Sequence, residues 1–218
     1  MNPRGDLRRW WRWLRTTSDC GGTVTARYRD ASWNDDVTPD QLQIEDAIAP
    51  HLRPDDVVLH VGIGSSRIAR RFRTTVAQID GVTVVERELL AAPDMANYRP
   101  MLLDKYRALP AGPYTWILDN NPSSFACCRR HFGELLDAYA ARLAPGGRLV
   151  TELRGLAYAE PYAFGLSPAR FKRMGRVRGL RVEWLADTVL AWRRPRGAVR
   201  DRPPNGTRSG LRHTTTKT

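Results

Sequence analysis

Between residues 55 and 153 the chain alternates short runs of branched aliphatic residues with segments of helical period, and this alternation leaves few folds open. DDVVLHVG at 55–62, GVTVVE at 81–86, MLLD at 101–104, YTWILD at 114–119 and GGRLVTEL at 146–153 read as strands. SRIARRF at 66–72 reads as a helix, as do residues 87–93 and CRRHFGELLDAYAARL at 128–143, which sets Phe132, Leu135, Leu136, Tyr139 and Leu143 on one face. Strands separated by helices predict a parallel, doubly wound sheet covered on both faces, with ligands bound outside the carboxyl ends of its strands. No internal repeat of 20 to 50 residues competes with that reading.

Both flanks of the alternation carry their own signals. Thr38 as N-cap, Pro39 at the first helical position and Gln41 three residues after the cap open a helix. It runs through Leu42, Ile44, Ala47 and Ile48 to about Leu52, where Pro54 stops it. At the other flank a helix over 167–179, capped by Ser167 with Pro168 next, precedes LRVEWL and DTVLAWRR, which have only a short turn between them. Strands so close must pair antiparallel, because a parallel return needs a crossover of about a dozen residues. The fold class is therefore α/β, a mostly parallel sheet finished by an antiparallel C-terminal hairpin.

Charge divides the chain into three. Of the net +12, residues 1–15 hold +4, residues 193–218 hold +7, and the segment between is nearly neutral. The expected domains are an Arg/Trp-rich helical extension at 1–37, the α/β domain at 38–194 and a flexible basic tail at 195–218. Leu7, Trp10, Trp11 and Leu14 of the extension read as anchors that pack it onto the domain. A phosphate-neutralising stripe belongs on the fold itself, so this distribution argues against nucleic acid as the partner. No apolar run reaches the roughly 18 residues that span a bilayer, and a cytoplasmic, non-membrane protein is expected. Cys20, Cys127 and Cys128 form neither a disulfide framework nor a spaced metal motif; they read as reduced thiols, with no metal site.

The sharpest chemical signal is the turn after the first strand, His60-Val61-Gly62-Ile63-Gly64-Ser65-Ser66. Glycines two apart let the backbone bend and approach a ligand, ahead of a helix N-terminus that favours anions. Glu86 follows Gly64 by 22 residues, close to the distance at which a carboxylate ending a second strand accepts ribose hydroxyls. Asp104 and Asp119 close the third and fourth apolar runs.

The order of these motifs resembles the class I S-adenosylmethionine-dependent methyltransferase family, with a Rossmann-like fold. The resemblance covers about residues 40–194: the capped helix, LHVGIGSS, VTVVE, MLLDKYRALP, YTWILDNNP, LAPGGRLV and the closing hairpin. It implies S-adenosylmethionine as cofactor. The amides around Gly62 and Gly64 would face its methionine part, with His60 and Ser65 beside them, Glu86 would hold the ribose, and Asp104 would lie near the adenine. Asp119 would border the sulfonium and the acceptor. The family places an acid where His60 stands and a glycine where Ser66 stands. A neutral imidazole at position 60 still accepts a hydrogen bond from an ammonium group.

Methyl transfer is an in-line displacement that depends on positioning and needs a base only for a protonated acceptor. Asp119, His131 and Tyr158 are the candidate catalytic residues, with Glu152, Glu160 and Tyr162 nearby. The scarcity of inserted sequence favours a small-molecule acceptor, modified on oxygen or nitrogen in bacterial specialised metabolism. Three alternatives stay open. The loop Asp119-Asn120-Asn121-Pro122-Ser123-Ser124-Phe125 is partly similar to that of amino-methyltransferases acting on nucleic-acid bases, and in its first Asp to that of aminopropyltransferases. The altered glycine motif also suits an accessory binding protein that has lost catalysis.

Overall fold

The computed structural model describes residues 37–158 and 164–197. The Arg/Trp-rich extension up to residue 36, the basic tail from residue 198, Cys20, Glu160 and Tyr162 lie outside the described residues.

Among the described residues seven strands form one sheet: β1 (Val57–Val61), β2 (Gln78–Thr83), β3 (Tyr98–Leu102), β4 (Tyr114–Asp119), β5 (Leu143–Glu152), β6 (Arg181–Trp184) and β7 (Val189–Arg193). Their order is β3-β2-β1-β4-β5-β7-β6. The first five are parallel, and β7 runs antiparallel to both β5 and β6. The hairpin thus forms where the short connection requires it.

Six helices flank the sheet among the described residues: α1 (Pro39–Ile48), α2 (Arg67–Phe72), α3 (Glu86–Leu90), α4 (Arg129–Arg142), α5 (Leu153–Ala157) and α6 (Pro168–Arg176). Gln41 Oε1 accepts from the Thr38 amide at 3.2 Å, as the capping pattern predicts, but α1 ends at Ile48 and passes into a 3-10 turn over Ala49–His51. Side chains alternate across each strand. Val58, Trp116 and Val150 meet α1 and α2 through Ile44, Ile48, Ile68 and Phe72 on one face. Leu59, Ile117 and Leu149 meet α4 through Phe132, Leu135, Leu136 and Tyr139 on the other. On that second face α6 is held by Phe171, whose ring stacks on Trp192 at 4.5 Å while the indole N–H donates to the Phe171 carbonyl at 3.0 Å.

Two strands lie elsewhere than their hydrophobic runs suggest. β2 occupies 78–83 and not 81–86, because Gln78, Ile79 and Asp80 pair with Val57, Val58 and Leu59. Asp80 is buried in mid-strand, where it accepts from Gln78 Nε2 (2.7 Å), Arg99 Nη2 (2.7 Å) and the Tyr114 hydroxyl (2.7 Å). A buried carboxylate with its donors supplied passes as core, yet no apolar pattern announces it. β3 begins at Tyr98 and contains Pro100, which an edge strand tolerates.

The start of the β1–β4 ladder is made by a side chain. Thr115 Oγ1 accepts from the Val57 amide at 2.9 Å and donates to the Val57 carbonyl at 3.0 Å. Thr115→Val keeps the shape and removes both bonds, so it is expected to lower unfolding free energy by about 1–2 kcal/mol in urea denaturation. A change under about 0.5 kcal/mol would show that water replaces the hydroxyl there.

Candidate functional site

The carboxyl ends of β1, β2, β3 and β4 open into one cavity of about 570 Å³, closed on one side by α1 and on another by the Asn120–Phe125 loop and Tyr158. Gly62, Ile63 and Gly64 form its floor after β1, and Thr83, Val84 and Val85 follow β2. Asp104 and Lys105 enter after β3, and Asp119 ends β4. The volume lies within the range of about 300–1,000 Å³ usual for small-molecule and cofactor sites.

Gly62 and Gly64 have φ of +79° and +50°, and a Cβ on either would meet nothing within 4 Å. Glycine is needed there for the backbone conformation, and the missing side chains leave the turn bare to the cavity. The two glycine amides are nevertheless engaged within the protein, contrary to the expectation that they face a ligand. Gly62 donates to the Val82 carbonyl at 2.8 Å and Gly64 to Glu88 Oε2 at 3.2 Å. Ser65 lines the cavity and is exposed. Ser66, at φ +58°, is buried with its hydroxyl 3.0 Å from that of Tyr98.

The placement of Glu86 at a strand end is corrected. With β2 ending at Thr83, Glu86 becomes the first residue of α3, exposed and outside the lining of the cavity. The carboxylate at this edge belongs to Glu88, which is buried and accepts from the Thr83 hydroxyl at 2.6 Å as well as from Gly64. Thr83 in turn accepts from the Val85 amide at 3.0 Å.

Strand alternation sends His60 to the α1 and α2 face, where it is buried against the cavity and its Nδ1 has no hydrogen-bond partner. Burial holds its pKa down at about 4, so the ring is neutral at physiological pH. Asp104 lines the cavity and accepts from the Tyr106 amide at 2.9 Å, and burial raises its carboxyl pKa.

Asp119 follows Ile117 onto the α4 face and is 2% exposed. Lys105 Nζ reaches its Oδ2 at 2.9 Å and the Asn121 carbonyl at 2.8 Å, while the Tyr139 hydroxyl donates to Oδ2 at 2.6 Å. Burial, the Asp119 charge and this bond together hold the Tyr139 phenol well above its usual pKa. The carboxylate expected beside a sulfonium therefore already has an ammonium counterion. The loop beyond it is pinned by the Tyr106 hydroxyl, which donates to the Ser124 carbonyl at 2.6 Å, and by Thr151 Oγ1, which donates to the Asn120 carbonyl at 2.9 Å.

Of the other candidates, Tyr158 lines the cavity, half-exposed, at the end of α5. Glu152 is buried and caps α5, accepting from the amides of Arg154 (2.5 Å) and Gly155 (3.4 Å). His131, a catalytic candidate by sequence, does not line the cavity. It is buried in the first turn of α4 beside Cys127 and Cys128. Lys105, Glu88 and Glu45, which is buried between Arg67 (3.0 Å) and Arg71 (2.8 Å) at the cavity wall, are among the lining charges that sequence reasoning missed. For Lys105 the signal was its position directly after Asp104; for the two glutamates only the fold reveals it.

A scan against protein-family models returns no match, and a search of curated proteins returns none. Solved structures do match. N-methyltransferase NodS from Bradyrhizobium japonicum WM9 in complex with S-adenosyl-L-homocysteine is 13% identical, with a TM-score of 0.56 over 78% of this chain and 96% of that one. The 1,6-didemethyltoxoflavin-N1-methyltransferase of Burkholderia thailandensis, with its substrate and S-adenosylhomocysteine bound, is 17% identical (TM-score 0.54; 70% and 77% covered). CalS10, an amino pentose methyltransferase of Micromonospora echinaspora, is 15% identical (TM-score 0.52; 70% and 89% covered). At such identities the likeness is one of architecture: the chain has the Rossmann-like fold of the class I S-adenosylmethionine-dependent methyltransferases.

Proposed function

We propose that the protein is an S-adenosylmethionine-dependent methyltransferase acting on an oxygen or nitrogen of a small molecule, in bacterial specialised metabolism. The observation that carries this reading is one cavity at the carboxyl edge of the sheet, which brings Gly62, Gly64, Asp104 and Asp119 together in a fold similar to that of solved methyltransferases. The structural neighbours bound to S-adenosylhomocysteine, and CalS10, which is involved in calicheamicin biosynthesis, support the choice of cofactor and of a small acceptor.

The residues present fit an adenosyl cofactor. The bare glycine turn gives clearance, and the orphaned His60 Nδ1 offers a buried acceptor to an ammonium group. Glu88, reaching the turn from α3, takes the ribose-side role that the resemblance gave to Glu86, and Asp104 stands on the adenine side. The cofactor supplies an electrophilic methyl group. Tyr158 and the Asn120–Phe125 loop would wall the acceptor, and Asp119 orients this loop through Lys105 more than it acts as a free base.

Calorimetric titration tests the reading. Micromolar affinity for S-adenosylmethionine or S-adenosylhomocysteine is expected, and Gly62→Arg, which fills the turn with a side chain at a positive φ, should weaken it by about 100-fold or more. No heat at saturating ligand, or affinity that survives Gly62→Arg, contradicts it. A second reading, an accessory protein that binds without transferring methyl, draws on the Lys105–Asp119 pair, which removes negative charge from the sulfonium side. Labelled cofactor incubated with host extract separates the two, since only the enzyme passes label to an acceptor.

A further inference from the structure

We propose that Cys127, Cys128 and His131 form a binding site for a thiophilic cation, zinc being the probe, at the start of α4. The proposal is independent of the methyl-transfer reading. Cys127 Sγ lies 3.1 Å and Cys128 Sγ 3.4 Å from His131 Nδ1, and the two sulfurs are 4.0 Å apart. A tetrahedral zinc ion with bonds of about 2.3 Å to sulfur and 2.0–2.1 Å to nitrogen separates its ligands by about 3.8 Å (S···S) and 3.5 Å (S···N). The three atoms therefore stand within a few tenths of an ångström of one face of such a tetrahedron, before any metal is supplied.

Chemistry supports the same ligand class. Two thiolates and an imidazole select zinc or cuprous ions over hard cations. Cys128 is the N-cap of a 14-residue helix, and its sulfur accepts from the His131 amide at 3.4 Å, which fixes the sulfur beside the imidazole. Nδ1 turns to the sulfurs, and Nε2 lies 3.9 Å from Glu134 Oε2, near a carboxylate but beyond hydrogen-bond distance. Each thiol gives its proton to solvent as the metal–sulfur bond forms. Cys128 and His131 are buried and Cys127 is partly exposed, which leaves an entry path from solvent.

The site also has a place in the fold. Phe125, held at φ +66°, and Ser124 line the cavity a few residues upstream, so a metal fixed at Cys127 would set the loop that walls the pocket. The dense pair of cysteines followed by His at i+3 and i+4 hides this from spacing rules, which expect cysteines two to four residues apart.

Reduced protein stripped with a chelator and titrated with Zn²⁺ against a chromophoric competitor is expected to bind one equivalent with submicromolar affinity. Co²⁺ should give a thiolate charge-transfer band in the near ultraviolet. Cys20→Ser should retain both signals, whereas Cys127→Ser with His131→Asn should weaken zinc by about 100-fold or more with unchanged far-ultraviolet dichroism. Without any variant, zinc should slow alkylation of Cys127 by about 10-fold or more. Zinc bound equally by the double variant, signals lost in Cys20→Ser, or alkylation of Cys127 indifferent to zinc overturns the proposal.

Discussion

Asp119→Ala is expected to lower the unfolding free energy by about 3–5 kcal/mol, as measured by urea denaturation at neutral pH. The Lys105 side chain is only 11% exposed, and without Asp119 its ammonium keeps a single carbonyl partner, that of Asn121. The Tyr139 hydroxyl, also buried, loses its acceptor at the same time, a penalty of about 1–3 kcal/mol within that total. Asp119→Asn removes the charge but leaves an amide oxygen for Tyr139, so it should cost roughly half as much. Lys105→Met should be comparably damaging alone, because it strands the carboxylate. Joined to Asp119→Ala it should cost less than the sum, with a coupling of about 2 kcal/mol or more. A loss under about 1 kcal/mol for Asp119→Ala, or strict additivity, would show that solvent reaches the pair and that its burial is not what holds the loop.

That pair also shows where reading the sequence stops. β4, α4 and the closing hairpin were legible because each follows from one local rule: an apolar run ended by a carboxylate, a 3.6-residue stripe, a turn too short for a crossover. The fold followed from adding such rules. β2 was misplaced because its buried Asp80 is polar by composition and core by environment, made so by Arg99 and by Tyr114 from two strands away. A slip of three residues in one strand was enough to hand the cavity's carboxylate to Glu86, although Glu88 holds Gly64. Gly62, Gly64, Asp104 and Asp119 could be gathered at one edge from strand order alone. The engagement of the glycine amides and the counterion on Asp119 depend on side-chain reach, which spacing along the chain does not encode.

The second large effect is a pH dependence centred on His60. In the unfolded chain its imidazole titrates near the ordinary 6.5, whereas burial in the folded protein lowers that to about 4. Above pH 6.5 both states are neutral there and the residue contributes nothing to the slope. Below it the unfolded state takes up a proton that the folded state refuses, so stability falls as pH falls, and the fall stops only when the folded ring is protonated below about pH 4. At about 1.36 kcal/mol per pH unit, the full window amounts to roughly 3 kcal/mol. Carboxylates titrate across the same range, so the informative quantity is a difference. Between pH 7 and pH 4 the wild-type protein should lose about 3 kcal/mol more unfolding free energy than His60→Gln, whose amide fills much of the same space and carries no proton equilibrium. Curves that stay parallel over that interval would mean that water or a hydrogen-bond partner reaches Nδ1 in solution. The ring would then titrate like an exposed histidine, and the His60 side of the cavity would be wetter than the burial of the ring implies.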